Sequence, residues 1–530
     1  MDPMLPQTVD PAACWHGLRA RDARFDGRFF VGVTSTGIYC RPICPARTPR
    51  RENCRFFPSA AGAEVAGFRP CLRCRPELAP GHASVDAPAR LAQAAAAAIE
   101  EGALDAGGLP ALASRLGVTD RHLRRVFDAQ FGVSPIDWAL TQRLLLAKRL
   151  LTDTALPVTE VALASGFGSV RRFNDAFVRR YRLAPGDLRR QARGASPSGD
   201  DRRRDDAGAP PAVIDASAAA VLTFRLAYRP PLDFASVAAF LAQRAIAGVE
   251  AVEPGGRRGA PVYRRIVRVP GVPGVPGAQG ARGADRIGWI EVTRPTGRAA
   301  ARDVVEVRVD PALVGSIPAV LARVRRVFDL GCRPDEVAAV LGPLAEGHEG
   351  LRLPGAFDGF EIVVRAILGQ QITVKHARTL AGRFAAAFGE PRPTPWPALA
   401  HAFPSAAAIA DRDPAEIAAL GLTGQRARTI VALARAIAHE GLRLEPDGDA
   451  AATVERLLDV PGIGDWTAQY LAMRALGWPD AFPAADVGVM KALGVKTPRE
   501  ALAAAEAWRP WRGYAVIHLW RRLAPLRIEE

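Results

Sequence analysis

The strongest constraint on how this chain folds lies between residues 40 and 74. Four cysteines there form two close pairs, Cys40-Arg-Pro-Ile-Cys44 and Cys71-Leu-Arg-Cys74. A short spacing lets two thiolates turn onto one ion, and a second pair completes a tetrahedron, the usual geometry of structural zinc. The chain of 530 residues has only 7 cysteines, so this clustering points to one Zn²⁺ held by Cys40, Cys44, Cys71 and Cys74. Cys14 and Cys54 read as ordinary small side chains. So few cysteines, odd in number, exclude a disulfide scaffold. With no basic-then-apolar leader in residues 1–10, the expected compartment is reducing. No apolar run approaches the roughly 18 residues that a membrane span requires.

The formal net charge is +15 and unevenly placed. Residues 1–194 hold 28 Lys and Arg against 18 Asp and Glu, a net +10, while the other 336 hold 42 against 37, a net +5. A basic front suits a polyanionic partner, most simply nucleic acid. Residues 193–211, RGASPSGDDRRRDDAGAPP, are poor in large apolar side chains and read as a flexible linker. A second Pro/Gly-rich stretch, 270–283, lies between two strand-like runs, Val262–Val269 and Ile287–Val292, and is expected to be a long hairpin loop. The patterning predicts short strands such as Phe29–Thr34 before residue 80, and helices across 85–191. It then predicts strands Thr223–Tyr228 and Val304–Val309 mixed with helices Phe234–Ile246 and Ile317–Phe328, and helix throughout from about 334.

The cysteine pairs sit in Thr36-Gly37-Ile38-Tyr39-Cys40-Arg41-Pro42-Ile43-Cys44-Pro45-Ala46-Arg47 and Gly67-Phe68-Arg69-Pro70-Cys71-Leu72-Arg73-Cys74, with Arg51-Glu52-Asn53 between them. Over roughly residues 12–80 this text resembles the N-terminal zinc domain of the Ada family, sensors of DNA methylation. The resemblance implies that Cys40 is also a nucleophile, accepting a methyl group irreversibly from a methylphosphotriester in the DNA backbone. Four thiolates on one dication leave a formal −2 charge, which keeps sulfur deprotonated and electron-rich. Methylation turns an anionic ligand into a neutral thioether and relieves repulsion against DNA phosphate, a charge switch. Arg47, Arg69 and Arg73 are candidate phosphate contacts.

Two helix-turn-helix patterns follow. In Leu109–Phe127, Leu112 and Leu116 line one helix, Gly117 turns, and Thr119 caps a second helix that points Leu123, Val126 and Phe127 inward. Its polar face offers Asp120, Arg121, Arg124 and Arg125 to a groove. In Val158–Tyr181, Gly166 turns, Ser169 caps, Phe173, Phe177 and Tyr181 recur at every fourth position, and Arg171, Arg172 and Asn174 face outward. Ser134-Pro135 opens a connecting helix. Two such units in tandem, followed by Ala184-Pro185, resemble the AraC-type DNA-binding domain over 85–191. That resemblance implies two recognition helices in successive major-groove segments and a sequence-specific activator whose partners are promoter DNA and RNA polymerase.

In the back half, Leu457-Leu458-Asp459-Val460-Pro461-Gly462-Ile463-Gly464-Asp465-Trp466-Thr467-Ala468 is a helix-hairpin-helix signature. Its glycines, Gly462 and Gly464, permit a tight turn whose N–H groups meet a DNA phosphate at a helix N-terminus. With Phe482-Pro483-Ala484-Ala485-Asp486-Val487-Gly488 downstream, and Leu353-Pro354-Gly355-Ala356-Phe357-Asp358-Gly359-Phe360-Glu361 and Arg365-Ala366-Ile367-Leu368-Gly369-Gln370-Gln371-Ile372-Thr373 upstream, residues 220–525 resemble AlkA-type 3-methyladenine DNA glycosylases of the helix-hairpin-helix superfamily. A carboxylate at a helix start beside a cleft, as expected for Asp486, stabilises the oxocarbenium character of a breaking glycosidic bond and orients water. A cationic N-alkylpurine leaves without a general acid, and aromatic faces hold it by stacking and cation–π attraction. The resemblance assigns those faces to Trp466, Tyr470 and Trp520, with Phe240 from the preceding domain, and places Gln371 at the wedge position in the duplex. Relatives that also cut the backbone carry lysine where this chain has Trp466, so no lyase activity is expected. Cys332 is the last cysteine, so no iron–sulfur cluster can follow. A Pro-Cys-His-Arg methyltransferase site is absent.

The expected architecture is multidomain α+β: a small four-cysteine zinc domain (1–82), an all-α tandem helix-turn-helix domain (83–192), a linker (193–211), a small α/β domain (212–326) and an all-α helix-hairpin-helix glycosylase domain (327–530). The expected function is dual: a methylphosphotriester-sensing transcriptional activator, and a monofunctional glycosylase for alkylated double-stranded DNA, cytoplasmic and nucleoid-associated. Two alternatives stay open: a repair-only glycosylase whose front half adds DNA affinity, and a transcription factor whose glycosylase half is an inactive scaffold.

Overall fold

A computed structural model describes residues 10–22, 25–79, 90–106, 108–194, 221–255, 259–269, 285–296, 303–446, 450–524 and 526–528. The expected linker beyond residue 194 and the expected hairpin loop 270–283 lie outside these residues. No helix among them is long and apolar enough to cross a membrane.

The front domain opens with the helix Pro11–Ala20, capped by the Asp10 carboxylate, which accepts from Ala12 N at 2.9 Å. A four-stranded sheet follows, in the order Cys54–Phe57, Phe30–Val33, Ile38–Cys40, Arg69–Pro70. The last two strands run parallel, with Tyr39 opposite Pro70, so the chain leaving each one carries its cysteine pair to the same end.

Both helix-turn-helix units form. Gly108–Arg115 leads to Asp120–Phe131, and Val158–Ala164 leads to Val170–Tyr181. The predicted caps are in place: Thr119, Ser134 and Ser169 each accept a backbone N–H three residues on. Leu112, Leu123, Phe127, Phe131 and Trp138 fill the first core. The 19-residue helix Pro135–Asp153 spans the two units.

The third domain is a five-stranded antiparallel sheet in the order Leu222–Ala227, Val304–Val309, Arg286–Thr293, Val262–Val269, Glu250–Glu253. The strand Glu250–Glu253 was not expected, because four residues ending in charges carry too little alternation. The helix predicted to reach Ile246 stops at Ala242, where the chain turns toward the neighbouring helical domain. Among its described residues that domain departs from all-helix at a short strand pair, Glu390–Pro391 with His401–Ala402, and at a bridge from Leu399 to Gly248.

The front and back halves are packed together rather than strung on a tether. Leu150, Leu151, Val161 and Phe167 share one apolar cluster with Phe224, Val307, Leu313 and Ile317 of the sheet domain. The Arg149 guanidinium lies 4.6 Å over the Phe224 ring and donates to the Arg225 carbonyl at 2.8 Å. Arg229, 1% exposed, donates to the Asp26 carbonyl at 3.0 Å and to the Gly331 carbonyl at 2.6 Å. Arg28 reaches Glu336 at 2.9 Å.

Within the front half two buried carboxylates clamp the zinc domain to the helix-turn-helix domain: Glu77 accepts from Lys148 Nζ at 2.7 Å, and Glu64 gathers three hydroxyls. Glu64, 1% exposed, accepts from Tyr39 Oη at 2.9 Å, Thr141 Oγ1 at 3.2 Å and Tyr181 Oη at 3.3 Å. Burial raises its pKa to about 7, against the lowering effect of those donors and of Arg180. A carboxyl whose folded pKa exceeds its unfolded value stabilises the fold below the unfolded pKa and loses that contribution as pH rises through the folded one. Glu64→Gln therefore gains stability relative to the native chain between pH 4.5 and 7, by an amount on the order of 3 kcal/mol. Paired urea melts across that range test this, and a difference that does not change with pH contradicts it.

Candidate active site and zinc centre

The hairpin of the back half is built around Gly462. Its φ of +93° is a left-handed value that favours glycine, and a Cβ there would stand 2.2 Å from Thr429 Oγ1. Thr429 Oγ1 donates to the Pro461 carbonyl at 2.9 Å, and Gln370 Nε2 reaches the Gly462 carbonyl at 3.1 Å and Thr467 Oγ1 at 3.2 Å. The helix that follows, Asp465–Arg474, begins at exposed Gly464 with no side-chain cap, so its first N–H groups point outward. Gln371 is exposed on the turn before the helix Val374–Phe388 and has a φ of +55°. A non-glycine residue at that value is held there by its surroundings. The Gln370 carbonyl just before it accepts from Arg426.

Asp486 caps the helix Val487–Leu493. Its Oδ1 accepts from Val489 N at 2.9 Å and from Trp520 Nε1 at 2.9 Å, and its Oδ2 accepts from Trp466 Nε1 at 2.9 Å. Both indoles therefore turn their N–H edges to one carboxylate. Trp466 stacks on Tyr470 with centroids 5.3 Å apart and planes 11° from parallel, and Tyr470 meets Trp520 at 6.5 Å and 43°. Phe240, on the helix Phe234–Ala242 of the sheet domain, lies 6.3 Å from Trp520 and 14° from parallel. Trp466, Tyr470, Trp520 and Asp486 are all half-buried, so the group opens to solvent.

Three further residues belong to this group, and sequence reasoning did not select them. Arg474 Nη1 donates to Tyr470 Oη at 3.0 Å. The Arg244 guanidinium lies 3.8 Å over the Phe240 ring. At Gly488, a Cβ would sit 3.0 Å from Asp486 Oδ1 and 3.2 Å from Trp520 Cδ1, so only glycine leaves the pair undisturbed. The spacing Phe240–Arg244 and Tyr470–Arg474, four residues in each case, was a signal available in the sequence.

At the front, the four sulfurs lie within 4.8 Å of one another. Tetrahedral coordination at about 2.3 Å per bond sets sulfur–sulfur edges of about 3.8 Å, so the cage fits a zinc ion and its soft donor set suits one. Cys71 N donates to the Tyr39 carbonyl at 3.0 Å, which seats the second pair beside the first, and Arg41 N donates to Cys74 Sγ at 3.3 Å. Cys44, Cys71 and Cys74 are buried, while Cys40 is half-exposed. The Arg41 side chain, buried, joins the Cys74 carbonyl at 3.1 Å to the Asp26 carboxylate.

Arg47, Arg69, Arg73, Arg121, Arg124, Arg171 and Arg172 are all exposed. Arg124 is tied to Asp120 one turn earlier, at 2.7 Å.

Family models match the chain in four consecutive stretches. These are the metal binding domain of Ada over residues 13–77, a helix-turn-helix domain over 112–191, the AlkA N-terminal domain over 223–358 and the HhH-GPD superfamily base excision DNA repair protein over 364–511. DNA-3-methyladenine glycosylase 2 of Escherichia coli is 34% identical over 297 residues, covering 56% of this chain and 96% of that protein. The bifunctional transcriptional activator/DNA repair enzyme Ada of Escherichia coli is 38% identical over 155 residues, 29% of this chain and 42% of that protein. The probable bifunctional transcriptional activator/DNA repair enzyme AlkA of Mycobacterium tuberculosis is 37% identical over 520 residues, 96% of each chain. With all four modules in this order and near full-length similarity to that last protein, the chain belongs to the family of bifunctional transcriptional activator/DNA repair enzymes of the AlkA type.

Proposed function

We propose that the back half is a monofunctional DNA glycosylase that excises 3-methyladenine and related alkylated bases, and that the front half is a methylphosphotriester-sensing transcriptional activator. The observation that carries the first reading is the Asp486 carboxylate held by the indole N–H groups of Trp466 and Trp520 at 2.9 Å each. A base turned out of the duplex meets aromatic faces on Trp466, Tyr470, Trp520 and Phe240, with Gln371 entering the gap it leaves. An N-alkylated purine there is cationic. Its bond to the sugar C1′ breaks with both electrons going to the base, which becomes neutral, while the sugar gains oxocarbenium character. The Asp486 carboxylate stabilises that charge, and water adds at C1′ and gives up a proton to solvent. No lysine stands at Trp466 to form an imine with the opened sugar, so the backbone stays intact. The hairpin N–H groups around Gly462 and Gly464 hold the DNA phosphate.

In the front half, Cys40 is the least buried of the four clustered thiols. Its sulfur attacks the methyl carbon of a methylphosphotriester. A sulfur–carbon bond forms, the carbon–oxygen bond breaks with its electrons going to oxygen, and a phosphodiester anion leaves. A zinc ion bound by Cys40, Cys44, Cys71 and Cys74 keeps the thiolate ionised. In this reading the exposed Arg47, Arg69 and Arg73 contact backbone phosphates, and Arg121, Arg124, Arg171 and Arg172 contact promoter DNA. RNA polymerase is the partner an activator requires. The two helix-turn-helix units favour this reading over a repair-only enzyme with added affinity.

Asp486→Asn lowers single-turnover release of 3-methyladenine from methylated duplex by at least about 100-fold while duplex binding survives, because an amide cannot offset the developing cation. Release at the native rate contradicts the assignment. Elemental analysis should find one zinc per chain. Isotopically labelled methylphosphotriester DNA should deliver one methyl per chain to Cys40, with none taken up by Cys40→Ala. Zinc absent from the native protein, or equal uptake by the variant, overturns the sensor reading.

A further inference from the structure

The catalytic group contains a cation of its own. The Arg244 guanidinium carbon lies 3.8 Å from the Phe240 ring centre and 5.9 Å from that of Trp520, on the aromatic surface where a displaced base would stack. Its side chain is held by one hydrogen bond, from Nη1 to the Phe240 carbonyl at 3.3 Å, a single turn back. Arg474, which also faces Phe240, is fixed differently. Its guanidinium is bound by the Pro354 carbonyl, by the Gly355 carbonyl at 3.3 Å and by Tyr470 Oη at 3.0 Å. Arg474 is therefore held by three oxygens and Arg244 by one.

The backbone beneath Arg244 is firmly set. Arg365 Nη1 donates to the Arg244 carbonyl at 2.6 Å and Arg378 Nε to the Ala245 carbonyl at 3.2 Å, both from the helical domain. Arg365 is in turn anchored by the carboxylates of Glu250 and Glu361. Burial lowers the Arg244 pKa to about 10, so the group is charged at neutral pH.

We propose that Arg244 sets the choice between cationic and neutral damaged bases, favouring lesions whose base leaves as an anion. The inference rests on the glycosylase reading. An N-alkylpurine brings a positive charge to a surface that Arg244 and Arg474 already make positive, and Arg244 is the less firmly held of the two. A neutral lesion instead departs with the electron pair of the broken C1′–N bond and no charge to cancel it. Arg244 N–H groups then donate to the negative base without surrendering a proton, and the base takes its proton from water afterwards. Arg244 is thus a specificity-determining residue, while Asp486 acts on the sugar in both cases.

The test compares single-turnover release of hypoxanthine, a neutral base, and of 7-methylguanine, a cationic one, each placed once in the same duplex. Arg244→Met keeps length and apolar stacking and removes the charge. It should lower the hypoxanthine to 7-methylguanine rate ratio by at least about tenfold, the size expected for one charge-assisted hydrogen bond. Arg244→Lys, which keeps the charge but loses the planar fork of donors, should lower the ratio by less than Arg244→Met does. If Arg244→Met does not reach the native melting temperature, Arg244→Gln is read against the same threshold. An unchanged ratio, or a rise, in the neutral variant overturns the proposal, as does a native protein that releases 7-methylguanine but no hypoxanthine. A native protein that releases neither base removes the glycosylase reading itself.

Discussion

The carboxylate of Asp486 is fixed by two indole N–H groups and one backbone N–H, and the back half is arranged to bring those donors to one point. Trp466 arrives on the helix that begins at the hairpin glycine, Trp520 on the helix Arg512–Leu523, and Val489 on the short helix that Asp486 itself caps. Each is anchored elsewhere in the core. The hairpin is tied by Thr429 and Gln370, and Arg512, at the start of the last helix, is paired with Asp480 at 2.7 Å. A preoriented carboxylate needs no reorganisation when positive charge develops on a sugar, which is how a fixed anion contributes to rate.

The sheet domain completes this group. It delivers Phe240 and Arg244 over Trp520, and the buried Glu250, Arg265 and Glu361, with half-buried Arg365, lock its edge to the helical domain. Burying such charges costs several kcal/mol per ion unless each is fully paired. Arg365 meets this condition by bridging two carboxylates and a carbonyl. The same device joins the two halves of the chain. Arg41 links the cysteine cage to Asp26, the Asp26 carbonyl accepts from Arg229, and Arg229 reaches Gly331 at the entrance to the helical domain. The zinc domain therefore meets the glycosylase half through a continuous polar path, while the helix-turn-helix domain supplies the apolar contact around Phe224.

What the sequence disclosed follows from how local each signal is. The cysteine cage could be read from spacing alone, because two short loops suffice to make it. The helix caps at Thr119, Ser134, Ser169 and Asp486 could be read because a cap depends on the next three residues. The grouping of Asp486 with Trp466, Tyr470, Trp520 and Phe240 came from a resemblance, since residues more than 200 positions apart meet there. The strand Glu250–Glu253 and the pair Glu390–Pro391 with His401–Ala402 left no periodic trace, being too short and, in the second case, containing proline. Arg244 left only the four-residue spacing from Phe240 as a trace, and a basic residue at a helix end reads as solvated until the facing Trp520 is known. The docking of the halves was invisible for a related reason. Arg149 and Arg229 look like surface charge, and only tertiary contact turns them into buried anchors.

The central claim is that the Asp486 carboxylate faces positive charge developing on the sugar. It is tested most directly by binding to two duplexes, one carrying a cationic pyrrolidine in place of the deoxyribose and one carrying a neutral tetrahydrofuran. The native chain should prefer the cationic duplex by at least about 100-fold, and Asp486→Asn should lose most of that preference while binding the neutral duplex as the native chain does. Equal affinity of the native chain for both duplexes would contradict the claim.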